Sequence, residues 1–247
     1  MKIESILLTT VRIQTFLGVQ PLTNATGFFF ERGRQLFLVT CRHVLVDTPS
    51  DHHPDRLEIE LRVGDEQSCT GTRFSIPLFD NGLSVWRTCS DIAGDVDVAA
   101  VEISRRAMPR NAVFRAFTRR HLTQDMESIE VGQPILVVGY PLGFQDNVHF
   151  LPVVRQATIA SSFGLRFQGQ GYFLTDARTH RGTSGAPVVL RVADSRQATS
   201  DLPWLLLGVH SARLDVGTRD LVLDEALGLN CTWYADVLTT LTDARPA

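Results

Sequence analysis

The sequence predicts an all-β fold built from barrels or sandwiches, and three observations predict it. About ten short apolar segments rich in Val, Ile, Leu, Phe and Thr follow one another along the chain. Turn residues punctuate them. Long helical patterns do not alternate with them, which excludes a parallel α/β sheet. In order, the segments are "SILLTTVRIQTFLG", "ATGFFFERG", "QLFLVTC", "RLEIELRVG", "DVDVAAVEI", "PILVVGY", "VVRQATIASSF", "GYFLTDA", "APVVLRV" and "WLLLGVHSA". No fixed-period repeat relates them.

The chain has 247 residues, enough for one large domain or two small ones around a substantial core. It is 44% hydrophobic and 21% charged with a net charge of −3, a balance that does not point to nucleic acid as a partner. The N-terminal "MKIESILLTTVRIQTF" carries an apolar run only from Ile6 to Leu8, too short for a signal peptide. No run approaches the roughly 20 residues needed to cross a bilayer, so the expectation is a cytoplasmic protein with no membrane association. Cys41, Cys69, Cys89 and Cys231 have no zinc-like spacing and read as free thiols, a Cys69–Cys89 bridge being conceivable only on export. "DHHPD" at 51–55 reads as a surface loop, and no metal or cofactor is expected. The Asn24 and Asn230 triplets match glycosylation acceptors by chance.

Residues 104–130 differ from the rest. They hold six arginines between Arg105 and Arg120 and few β-branched residues. The expectation is a solvated linker, with a patch for phosphate or an acidic partner as the alternative. It divides the chain into a first β half at 1–103, a linker at 104–130 and a second β half at 131–247. At the end, Trp233, Val237 and Leu241 stand at i, i+4 and i+8, predicting a short C-terminal helix.

Three segments share one design: an apolar strand with a polar residue near its end, flanked by small residues. "FLVTCRHVL" holds His43, "GDVDVAAVEI" holds Asp97, and "HRGTSGAPVV" holds Ser184. A serine hydroxyl is a poor nucleophile until an imidazole takes its proton. The imidazole in turn needs a carboxylate on its other nitrogen to hold the correct tautomer. Each residue alone is a common turn or rim residue; their joint appearance in an all-β chain is not.

These motifs resemble the trypsin-like serine peptidases of chymotrypsin fold, in the style of the bacterial HtrA proteases and glutamyl endopeptidases. "ATGFFFERGRQLFLVTCRHV" resembles the lead-in to the family's histidine, and "DVDVAAVEI" its aspartate segment. "VVGYPLG" resembles its Gly-x-Pro-x-Gly turn, and "LTDARTHRGTSGAPVV" with "LLLGVHSA" the nucleophile loop and following strand. The match spans roughly residues 26–212. It implies two antiparallel six-stranded Greek-key barrels packed together, with a short C-terminal helix. It implies Ser184 as nucleophile, His43 as general base and Asp97 as orienting carboxylate, with Asp95 as the competing candidate. Gly182 and Ser184 would donate the oxyanion-hole N–H groups. Ser211 would contact the carboxylate, and Ser211, Ala212 and Arg213 would pair with the substrate backbone.

Thr183 replaces the family's aspartate before the nucleophile, so activation by a freshly cut N-terminus is not expected. Control would then come from loop ordering or a separate regulatory protein. Arg178, Thr179 and His210 fall at the specificity pocket, and none is a carboxylate. Two readings stand: cleavage of a protein or peptide after Glu, Gln or Asp, or an apolar pocket floor selecting small residues. The rival classes are a binding module that keeps the fold without catalysis, and an esterase using the same triad.

Overall fold

A computed structural model describes residues 3–65, 69–192, 202–214 and 228–243. The first half forms one antiparallel sheet. Its six longer strands are β1 (Thr10–Leu17), β2 (Gln20–Arg32), β3 (Gln35–Thr40), β4 (Arg56–Gly64), β5 (Cys69–Pro77) and β11 (Ala99–Ile103). Between β5 and β11 lie the short ribbons β6 (Phe79–Asp80) with β7 (Leu83–Ser84) and β9 (Ser90–Asp91) with β10 (Gly94–Asp95). β8 (Trp86–Arg87) joins the sheet edge beside β11, in the order β5-β4-β1-β2-β3-β11-β8. Val, Ile, Leu and Phe dominate the inward positions, as a pleated surface with a buried face demands.

The second half holds β13 (Pro134–Gly139), β14 (Val153–Thr158), β15 (Tyr172–Thr175), β16 (Pro187–Arg191), β17 (Trp204–Arg213) and β18 (Asn230–Tyr234). Their order is β14-β13-β16-β17-β18-β15, so the chain crosses from one edge to the other between β14 and β15. The two edges then meet. Ile159 bridges Thr175, Ala160 N–H donates to Leu174 O at 2.8 Å, and Thr158 Oγ1 donates to Asp176 at 2.8 Å. This closes a six-stranded barrel, which removes unpaired edges. The expected all-β architecture of two packed barrels is thus present.

The linker is less solvated than its arginines suggest. β12 (Phe117–Thr118) pairs in parallel with β2, and Leu122 bridges Leu206 of β17. Phe117 packs edge-on against Phe28 with ring centroids 5.7 Å apart, while Phe114 meets Phe29 at 4.8 Å. Met108 and Phe117 are buried. Its aromatic residues therefore strap it across β2, and Arg119 and Arg120 remain on the outside. The C-terminal helix is shorter than expected. α2 spans Val237–Leu241 and buries Leu238 and Leu241. Trp233 belongs instead to β18, because hydrogen bonding to β15 and β17 claims that segment for the barrel.

One buried cation ties the halves together. Arg62 of β4 is 1% exposed and donates to Phe150 O at 2.7 Å and Thr10 O at 3.1 Å. Tyr140, just after β13, donates to Thr10 O at 3.2 Å and lies 3.4 Å from Arg62 Nη1. The loop after β13 is therefore anchored to the first barrel. Arg62→Ala removes both guanidinium bonds and leaves a void where a fully buried side chain stood, so urea denaturation should show a loss of about 3 kcal/mol. Tyr140→Phe should cost about 1 kcal/mol.

Candidate active site

Strand register places the first two groups. β11 runs antiparallel to β3 with Ala99 opposite Thr40 and Ala100 opposite Val39. Continuing that register past the strand ends brings Asp97 opposite Arg42, beside His43. β3 gives way at Cys41 to a single helical turn, α1 (Arg42–Leu45), which lifts the His43 ring to the rim. Asp97 then holds His43 twice. Its Oδ1 accepts the His43 backbone N–H at 2.9 Å, and its Oδ2 lies 2.7 Å from His43 Nδ1. Ser211 Oγ donates to the same Oδ2 at 2.5 Å. Asp95 is largely exposed and instead meets Arg42 at 3.3 Å and Ser90 at 2.9 Å.

The electrostatics follow this geometry. Burial alone would depress the His43 pKa, but the hydrogen bond and charge of Asp97, with Asp47 adding, raise it above 6.5. Burial would raise the Asp97 pKa, and the hydrogen bonds and charge of His43, with Ser211, bring it below 3.8. The Cys41 thiol is fully buried beside them and donates to His210 O at 3.3 Å. Burial and the Asp97 charge push its pKa well up, so it sits there as a neutral thiol. Cys41, His43 and Asp97 each offer a ligating atom within 4.8 Å of the others, but two of those atoms already engage one another.

Ser184 and Gly182 come from the loop before β16. With His43 they line one cleft of about 760 Å³, which also touches His52, Leu142 and Arg181. Gly182 has φ +91°, and a Cβ there would come within 2.7 Å of Tyr140 O. Only glycine fits both the conformation and the approach. Leu142 N–H donates to Arg181 O at 2.6 Å, and Ala186 N–H to Thr183 O at 2.9 Å. A peptide carbonyl and its amide point in opposite directions, so both bonds turn the N–H groups of Gly182 and Ser184 the other way. Neither N–H has an acceptor among the described residues.

Around the specificity positions, Thr179 and His210 are buried while Arg178, Ala212 and Arg213 are exposed. Thr179 Oγ1 lies 2.7 Å from Asn230 Oδ1. Asn230 Nδ2 donates to Ala177 O at 2.6 Å and Thr175 O at 3.3 Å, which fixes the amide and makes Thr179 the donor. Asn230 is fully buried, which removes it as a glycan acceptor in the folded chain. His210 Nδ1 is buried with no hydrogen-bond partner among the described residues, and burial followed by the His43 charge pushes its pKa down to about 4. The sequence reading did not find Thr26 or Asn230. Each is a polar residue in an apolar strand, a signal too common to use without coordinates.

The trypsin-like peptidase domain family matches residues 25–194, more than half of the chain. The chain belongs to the trypsin-like peptidase family. That family consists of serine peptidases, and this chain carries their double-barrel fold. A serine endoprotease from Yersinia pestis superposes with a TM-score of 0.53 at 14% identity, covering 96% of this chain and 62% of that one. The peptidase domain thus spans about three fifths of that protein's length. The Rv3671c protease in an inactive form gives a TM-score of 0.51 at 16% identity, covering 96% of this chain and 88% of that one. At these identities the likeness is one of fold. No curated protein sequence matches the chain.

His210 supplies a test of the site's electrostatics. Its folded pKa of about 4 lies below the ordinary 6.5, so the unfolded chain takes up the proton first as pH falls. The stability associated with its neutral form is complete above pH 6.5 and is lost as pH falls toward 4. The expected loss is about 3 kcal/mol. Urea denaturation across that window should show the slope, and His210→Phe should remove it. NMR titration should place the His43 midpoint above 6.5, and Asp97→Asn should lower it.

Proposed function

We propose that this trypsin-like peptidase domain hydrolyses internal peptide bonds of protein substrates through Ser184, His43 and Asp97. The observation that carries this reading is the double hold of Asp97 on His43, in one cleft with Ser184 and two outward-facing N–H groups. Asp97 keeps the His43 proton on Nδ1, leaving Nε2 free to take the Ser184 proton as Oγ attacks the scissile carbonyl. The oxyanion that forms accepts from the Gly182 and Ser184 N–H groups. The imidazolium then gives its proton to the departing amine, and water, deprotonated in the same way, releases the acyl group. A binding module lacking catalysis has no need of a carboxylate held by three donors.

The pocket supports a substrate side chain with a hydrogen-bonding end. His210 at neutral pH is uncharged, so its ring can exchange a hydrogen bond, but no full charge, with a substrate Gln, Glu or Asp. Thr179 has already donated its proton to Asn230, so its oxygen can only accept. That pairing favours the amide of Gln over a carboxylate. The binding of substrate backbone along Ser211–Arg213 is part of the same proposal, because β17 ends there with Ser211 bonded to Asp97 and Ala212 and Arg213 exposed.

An active-site fluorophosphonate should label the wild-type protein, and Ser184→Ala and His43→Ala should abolish labelling. A wild type that never labels, with or without added protein partners, would exclude an active enzyme. Labelling together with ester but not peptide turnover would favour the esterase reading. The rate should fall at acid pH with a midpoint above 6.5, since protonated His43 cannot accept the serine proton. Asp97→Asn should slow it by about 10³- to 10⁴-fold. In a peptide library, His210→Ala should reduce cleavage after Gln or Glu by about tenfold relative to cleavage after Ala or Leu. Wild-type preference for Ala, Val or Leu would refute the polar pocket.

A further inference from the structure

Thr26 belongs to β2 in the first barrel, yet its polar atoms serve the loop that carries Ser184 in the second. Its N–H donates to Ser184 O at 3.0 Å, and its Oγ1 donates to Gly182 O at 2.7 Å. The same Oγ1 accepts from Tyr140 N–H at 3.0 Å. Thr40 Oγ1, in turn, donates to Thr26 O at 2.8 Å and holds the strand from behind. The residue is fully buried. Two glycines make room for it. A Cβ on Gly139 would lie 2.9 Å from Thr26 Oγ1, and one on Gly185 would overlap Thr26 O.

We propose that Thr26 is a positioning residue that keeps the oxyanion site formed, acting through the loop and the turn its hydroxyl joins. This rests on the reading of Ser184 as the nucleophile. The orientation of the Gly182 N–H depends on Arg181 O staying on Leu142 N–H. Rotation of that one peptide would put a carbonyl oxygen where the N–H now points and would repel the developing oxyanion. Leu142 sits in the turn that begins at Tyr140, and Arg181 directly precedes Gly182. By bridging Tyr140 N–H to Gly182 O, the Thr26 hydroxyl fixes the separation of the two segments and so opposes the rotation. Its N–H fixes the carbonyl of the nucleophile itself. One hydroxyl oxygen both donates and accepts, a combination that valine of the same shape cannot supply and serine can.

The test compares wild type, Thr26→Val and Thr26→Ser. Two quantities are measured: the second-order rate of fluorophosphonate modification, and NMR hydrogen exchange at the Tyr140 and Leu142 amides. Thr26→Val should slow modification at least about tenfold and speed exchange at both amides, with Thr26→Ser restoring the rate to within about threefold of wild type. If Thr26→Val fails to fold, Thr26→Ala against Thr26→Ser gives the same comparison. A valine or alanine variant modified at the wild-type rate overturns the proposal, as does a serine variant as slow as valine. An unreactive wild type refutes the enzyme reading instead. The exchange data then decide the role of Thr26, and unchanged protection in the variants refutes it.

Discussion

The loop that carries Ser184 is docked on the first barrel, and the candidate site depends on that docking. Ser184 belongs to the second barrel, while His43 and Asp97 belong to the first. Strand pairing within either barrel cannot set the distance between them. What relates them is a small set of hydrogen bonds across the seam, among them Thr26 N–H to Ser184 O and Thr26 Oγ1 to Gly182 O. β2 is suited to this because every residue from Ala25 to Phe30 is buried. One face lines its own barrel, and the other, which carries Thr26, meets the neighbouring barrel, while linker aromatics reach both faces through Phe28 and Phe29. A polar side chain on that second face must find partners, and the Ser184 loop supplies them.

The seam also sets the charges. Asp97 is a largely buried carboxylate, a costly group unless hydrogen bonds surround it. Three donors do so: the His43 backbone, the His43 ring and Ser211. Its remaining neighbours are kept neutral, Cys41 by burial and the Asp97 charge, and His210 by burial and the His43 charge. The result is one hydrogen-bonded carboxylate–imidazole couple whose buried neighbours Cys41 and His210 carry no charge. The same burial that depresses the His210 pKa leaves its Nδ1 without a hydrogen-bond partner among the described residues.

Much of this was legible in the chain. The short β-branched and aromatic runs announced strands, and "VTCRHV", "DVDVAAV" and "GTSGAP" marked the three chemical groups because each sets a reactive residue at the end of an apolar run. The preference for Asp97 over Asp95 came from its place directly before the apolar residues, and strand register is what sets Asp97 beside His43. Other features were hidden. Trp233 fitted a helical face by spacing, but pairing with β15 and β17 makes it strand. The arginines of 104–130 suggested solvation, while Phe114 and Phe117 anchor the segment. Periodicity reports local preference and cannot weigh it against a partner strand or a distant ring.

The amino-acid sequence by itself determined the all-β class, the apolar runs that end at His43, Asp97 and Ser184, and the glycine at position 182, because each follows from local backbone preference and side-chain chemistry. The tertiary structure decided which carboxylate holds His43, where the Thr179 proton goes, and which distant groups Thr26 and Asn230 bond. These depend on atoms 50 to 160 residues apart meeting within about 3 Å, the reach of a hydrogen bond. Only the packing of one barrel against another sets such distances.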